Sequence, residues 1–125
     1  MVIVRGKVKQ GCGHFRQRMT NFPVAFRKAT GEDLFKGTLN VELENHMCIP
    51  IAEQFRIRGT EIDEPGQDLL FEVCRINGLW AYRIRPYDLC TGAGGHGDNI
   101  LEIACSQQIP NVSAGSEVQI ELFRD

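Results

Sequence analysis

The recurrent pattern along this chain is a period of two. Val2, Val4 and Val8 alternate with Ile3, Arg5, Lys7 and Lys9, which predicts a strand with one wet face. Thr38-Leu39-Asn40-Val41-Glu42-Leu43-Glu44 alternates without a fault. Leu69 to Ile76 is apolar on both faces apart from Glu72 and Arg75, the mark of a more buried strand. Asn77-Gly78 follows with a type I′ turn signal, and Leu79 to Arg85 would return as the hairpin partner. Ile100 to Cys105 and Glu117 to Phe123 supply two further strands. One helix is predicted: Pro23 suits a first turn, Val24, Phe26 and Ala29 share a side, and Gly31 ends it. At least six strands and one short helix argue against a doubly wound parallel fold. The expectation is a mainly β chain closed into a small barrel.

Composition bounds this picture without changing it. With 125 residues, 42% apolar and 24% charged, the chain fits one domain over 1–125 around a single core. No apolar run approaches the roughly 18 residues of a membrane span, and Met1-Val2-Ile3-Val4-Arg5 lacks a signal peptide's layout. No membrane partner is expected. The five cysteines are odd in number and have no CxxC spacing, which fits a reducing cytoplasm better than a disulfide or zinc scaffold. They are expected as small core residues, with Cys12 near a ligand through its backbone. Nothing asks for a second chain, so a monomer is expected.

Charge adds a direction. The first 30 residues carry Arg5, Lys7, Lys9, Arg16, Arg18, Arg27 and Lys28 and no acid, leaving seven bases against sixteen acids in the rest. The net charge of −2 therefore conceals a basic first third, which suits a local anion site and not an extended nucleic acid.

Two segments carry candidate chemistry. Gly11-Cys12-Gly13-His14-Phe15-Arg16 follows the first strand. Its glycines allow amides to converge on an anion, and an arginine can fork onto phosphate oxygens. Neither GxGxxG nor GxxxxGK[ST] is met, so a plain tight turn is the competing reading. In Gly37-Thr38-Leu39-Asn40-Val41, Thr38 and Asn40 would share one strand face with oxygens about 6.6 Å apart. Neutral oxygens suit Mg²⁺ held mainly by substrate phosphates; a solvated strand face is the alternative. Glu102 shares a face with Ile100 and Ala104, so its carboxylate needs a partner, either a ligand or Arg83 or Arg85. His14 would bond phosphate or cap its loop, His46 lies at the surface, and His96 sits in a glycine-rich loop. Trp80 and Tyr82 on one hairpin face are expected in the core.

Taken in order, Gly11-x-Gly13-x-x-Arg16, a helix, Gly37-Thr38-Leu39-Asn40-Val41, Ile100-Leu101-Glu102-Ile103 and Gly115-Ser116-Glu117-Val118-Gln119-Ile120 resemble the archaeal-type CTP-dependent riboflavin kinase family. The resemblance covers nearly the whole chain, with Gly-Thr-Leu-Asn its most specific element. It implies a six-stranded cradle-loop barrel and transfer of the CTP γ-phosphoryl group to riboflavin, giving FMN and CDP. It implies nucleotide binding by Gly11, Cys12, Gly13, His14, Phe15 and Arg16. The family's second nucleotide-contacting stretch, basic there, falls on the uncharged Gln107, Gln108, Ile109 and Pro110. Thr38 and Asn40 inherit Mg²⁺, and Glu102 inherits a flavin contact, as does Thr91 with a shift of register. The alternative is a catalytically inactive barrel that binds a nucleotide, a flavin or a nucleic acid.

Overall fold

The computed structural model describes residues 1–10, 13–87 and 97–124. The alternation of the first segment becomes β1 (Val2–Lys9), in which Val4, Gly6 and Val8 are buried and the residues between them are exposed. The other strands are β2 (Leu39–Leu43), β3 (Phe55–Ile57), β4 (Leu69–Ile76), β5 (Leu79–Pro86), β6 (Ile100–Ala104) and β7 (Glu117–Leu122). All pairings are antiparallel, in the order β4-β5-β6-β2-β1-β7, and β7 pairs back onto β4. This closes a six-stranded barrel and leaves those strands no open edge; β3 adds to the outside of β4. The β4–β5 hairpin turns at Asn77 and Gly78, both at positive φ (48° and 81°), as a type I′ turn requires.

Among the described residues two α-helices stand where one was expected over this part of the chain: α1 (His14–Asn21) and α2 (Pro23–Thr30). Proline causes the break between them. It has no N–H to continue α1 and disfavours helical geometry at Phe22, which sits at φ −131°, ψ 54°. As expected, Gly31 terminates α2 in a left-handed conformation, its N–H donating to the Arg27 carbonyl. Phe15 and Met19, one turn apart on α1, pack with Phe26 of α2 against Phe71, Ile84 and Ala104 on the outer wall of the barrel. The interior is a separate apolar cluster that includes Val4, Val41, Leu101, Ile103 and Ile120.

Other expectations are corrected by where the helix layer lies. Trp80 is 61% exposed, because its end of β5 projects beyond that layer; Arg75 covers its ring at 4.6 Å instead. Cys74 and Cys105 are core residues, but Cys48 is exposed in the loop after β2. His46 is exposed, as expected. Glu72 and Arg83, both 1% exposed, are joined by Arg124, whose Nε lies 3.1 Å from the Glu72 carboxylate. Among the described residues no helix is long and apolar enough to cross a membrane.

Candidate functional site

Cross-strand register determines what the outer wall presents. Phe71, Ile84, Glu102, Asn40 and Lys9 are successive partners across β4, β5, β6, β2 and β1, so they share a face. The helices cover the apolar end of this row. Their cover stops at Glu102 and Asn40, where a cavity of about 730 Å³ opens, a size typical of ligand sites.

This cavity gathers candidates from distant parts of the sequence. It is lined by Gly13, His14, Phe15 and Arg16, by Thr38 and Asn40, by Glu102, and by Gln107, Gln108 and Ile109. Pro110 is not part of its lining. Gly11, Cys12, Thr91 and His96 lie outside the described residues.

The presumed glycine loop is shorter than its sequence predicts, because His14, Phe15 and Arg16 already form the first turn of α1. Gly13 is the N-cap at φ 80°, a conformation suited to glycine, and no side chain caps the turn. The first turn has no acidic residue. The positive end of the helix dipole therefore meets the cavity, which is a favourable setting for an anion. Arg16 and Lys36 add positive charge at the same rim.

Little of the remaining basic charge in the first third is available there. Lys9 pairs with Glu42, Arg27 with Asp33, and Lys28 with Glu61 at 3.9 Å. Arg18 forks onto Glu64 with bonds of 2.8 and 2.9 Å, which ties α1 to the segment before β4. That guanidinium holds the Glu64 carboxyl below its ordinary value of 4.5. A lowered folded-state pKa gives stability that is present above 4.5 and is lost as the pH falls through the folded value. Glu64→Gln is therefore expected to melt below wild type at pH 7. The two curves should converge on acidification below 4.5, as thermal melts at a series of pH values would report.

The deep wall holds the oxygen-rich cluster. Thr38 sits one residue before β2, and its Oγ1 donates to Glu102 Oε2 at 3.1 Å. Asn40 is 5% exposed, and its Oδ1 is buried with no hydrogen-bond partner among the described residues. Burial pushes the Glu102 carboxyl above its ordinary value, against the opposing effects of the Thr38 hydroxyl, Arg18 and Arg85. Neither arginine expected to pair with Glu102 faces it across the sheet. Glu102 is opposite Ile84, so Arg83 and Arg85 project to the other side, toward Glu72 and Asp98. Cys105 also lines the cavity, but burial raises its thiol to about 11, which leaves it protonated and a poor nucleophile.

The structure thus brings Thr38, Asn40 and Glu102 to one cavity with part of the glycine segment and of the 107–110 stretch. Sequence reasoning missed Phe35, Lys36, Glu64 and Gln67, which reach the cavity from irregular segments with no period to read. Among the described residues no group of three or more histidine, cysteine, aspartate or glutamate side chains could hold a metal. A site for a hard cation would instead use the amide, hydroxyl and carboxylate oxygens of Asn40, Thr38 and Glu102, and the orphaned Asn40 oxygen fits that role. No family model matches the chain, and no curated protein matches it.

Proposed function

We propose that this protein transfers the γ-phosphoryl group of a nucleoside triphosphate, CTP by the family resemblance, to riboflavin, giving FMN in a magnesium-dependent reaction. The observation that carries this reading is Asn40 Oδ1, a buried oxygen without a partner among the described residues, set beside Thr38 and Glu102 in a cavity that also receives the N-terminus of α1. A native fold rarely leaves such an acceptor unsatisfied unless a ligand, ion or water completes it.

Phosphoryl transfer asks the protein mainly for positioning and charge neutralisation. The first-turn amides of α1, with Arg16 and Lys36, hold the polyphosphate. Thr38 and Asn40 would hold Mg²⁺, which would supply neutralisation of the charge on the phosphates. Phe35, Leu39 and Ile109 give the cavity apolar surface for a ring system and exclude water. Arg16→Ala should raise the KM for the nucleotide about tenfold with little change in kcat, as expected for loss of one charge-assisted contact made equally in ground and transition states.

One observation favours a second reading, a binding protein without turnover: Gln107, Gln108 and Ile109 bring no charge, and Arg18 is engaged by Glu64. Incubation with riboflavin, Mg²⁺ and each nucleoside triphosphate separates the two. The kinase reading expects FMN, fastest with CTP. Bound flavin without FMN from any donor would reject it in favour of the second reading.

A further inference from the structure

We propose that the barrel wall left uncovered by the helices, centred on Arg75 and Glu121, is the interface of a twofold-symmetric dimer of this chain. The inference is independent of the phosphoryl-transfer reading and departs from the monomer expected from the sequence.

Register lays this surface out as a row. Trp80, Arg75, Glu121 and Ile3 are successive cross-strand partners on β5, β4, β7 and β1. All four point outward, because the residues that alternate with them, among them Ile76, Ile120 and Val4, fill the interior. Trp80 and Ile3, at the two ends of the row, are 61% and 53% exposed. Two large apolar side chains thus bracket a pair of opposite charges, and apolar groups gathered on one open face mark an interaction site.

Arg75 is already set for a partner. Its guanidinium lies 4.6 Å from the Trp80 ring and 5.2 Å from the Phe123 ring, and the two rings are 5.2 Å apart. Stacking holds the side chain in place while its Nε has no hydrogen-bond partner among the described residues and stands 3.9 Å from Glu121. An arginine immobilised by aromatic rings with a donor unspent has the composition of an interface hot spot, where tryptophan and arginine are enriched.

The order of the row selects the partner. It reads apolar, positive, negative, apolar, and a twofold axis running along the strands between β4 and β7 reverses it. Two copies laid face to face about that axis set Arg75 against the partner's Glu121 twice, and Trp80 against the partner's Ile3 twice. One step toward the hairpin turn, Asn77 and Gln119 are paired in the same way, so neutral amides meet there and like charges do not. Such a surface is isologous, complementary to its own copy. A row of one charge sign would repel its copy and call for a partner of the other sign. The convexity of the barrel confines close contact to β4, β7 and their flanks, where the charged pair stands.

Sedimentation velocity over a dilution series tests this on the intact chain. Wild type should show a concentration-dependent equilibrium between monomer and dimer. Arg75→Glu and Glu121→Arg each set like charges together in both symmetry-related contacts, and each should weaken the dimer about 100-fold or more. Mixing these two variants should restore association, because each supplies the charge that the other lacks across the interface. That recovery cannot come from the pair within one chain, which is like-charged in both variants. Melting curves establish that each variant is folded. Ile3→Lys, at an exposed position, should weaken the dimer as well and serves where a charge variant does not fold. A wild type that stays monomeric up to its solubility limit would overturn the proposal. Wild-type association in the charge variants or in Ile3→Lys, or a mixture that fails to associate, would overturn it too.

Discussion

Asn40→Ala should lower the rate of FMN formation by about 100-fold or more, the scale on which preorganised electrostatic groups act at a reaction centre. Its melting temperature should stay within about 2 °C of wild type. These two outcomes follow from the same feature. The Asn40 amide oxygen is buried and makes no hydrogen bond to the described residues, so the fold gains nothing from it there. An unsatisfied buried acceptor costs about 1–3 kcal/mol. Alanine removes that cost while leaving a small void beside β6, and the two effects offset. A structural asparagine would behave in the opposite way, losing stability and keeping the rate. Steady-state kinetics over a magnesium series, paired with thermal melts, distinguishes these outcomes. Unchanged turnover at limiting Mg²⁺ would remove Asn40 from the cation site.

The largest stability effect is expected far from that oxygen. Phe71→Ala should cost about 3–5 kcal/mol, lowering the melting temperature by roughly 10–20 °C. Phe71 is 0% exposed, stacks on Phe55 at 5.0 Å and meets Phe26 edge-on at 6.2 Å. Its ring fills the seam between the barrel wall and the helix layer, and alanine cannot refill that volume. The consequence reaches the site through α1, whose Phe15 and Met19 belong to the same cluster and whose N-terminus faces the cavity. Urea denaturation should show a lower midpoint with an unchanged slope. A loss below about 1 kcal/mol would mean that the seam collapses around the gap and that the helices are held by other contacts.

The parts of the fold visible in the sequence are those specified locally. The alternation of β1 is visible because Val4 and Val8 face the core while Arg5 and Lys7 face water. The hairpin is visible because Asn77-Gly78 encodes its own turn. β3 is a three-residue strand defined by its pairing with β4, which no local pattern announces. α1 carries Phe15 and Met19 at helical spacing, but six polar neighbours and the preceding glycine make it read as loop. The site is legible as residue types and not as an arrangement. Thr38 and Glu102 are 64 positions apart, and their contact depends on the register of β2 against β6. The basic first third was the least reliable guide, because cross-strand and helix–loop acids neutralise much of it. What faces the cavity is Arg16, Arg18 in its pair with Glu64, and the end of α1.

The most direct measurement uses CTP labelled on its γ-phosphorus, incubated with riboflavin, Mg²⁺ and the wild-type protein. The label should appear on the flavin in a one-to-one ratio with CDP, and Asn40→Ala should abolish nearly all of that transfer. Retention of the label on CTP, or its release as inorganic phosphate with the flavin unlabelled, would contradict the assignment of this cavity to phosphoryl transfer.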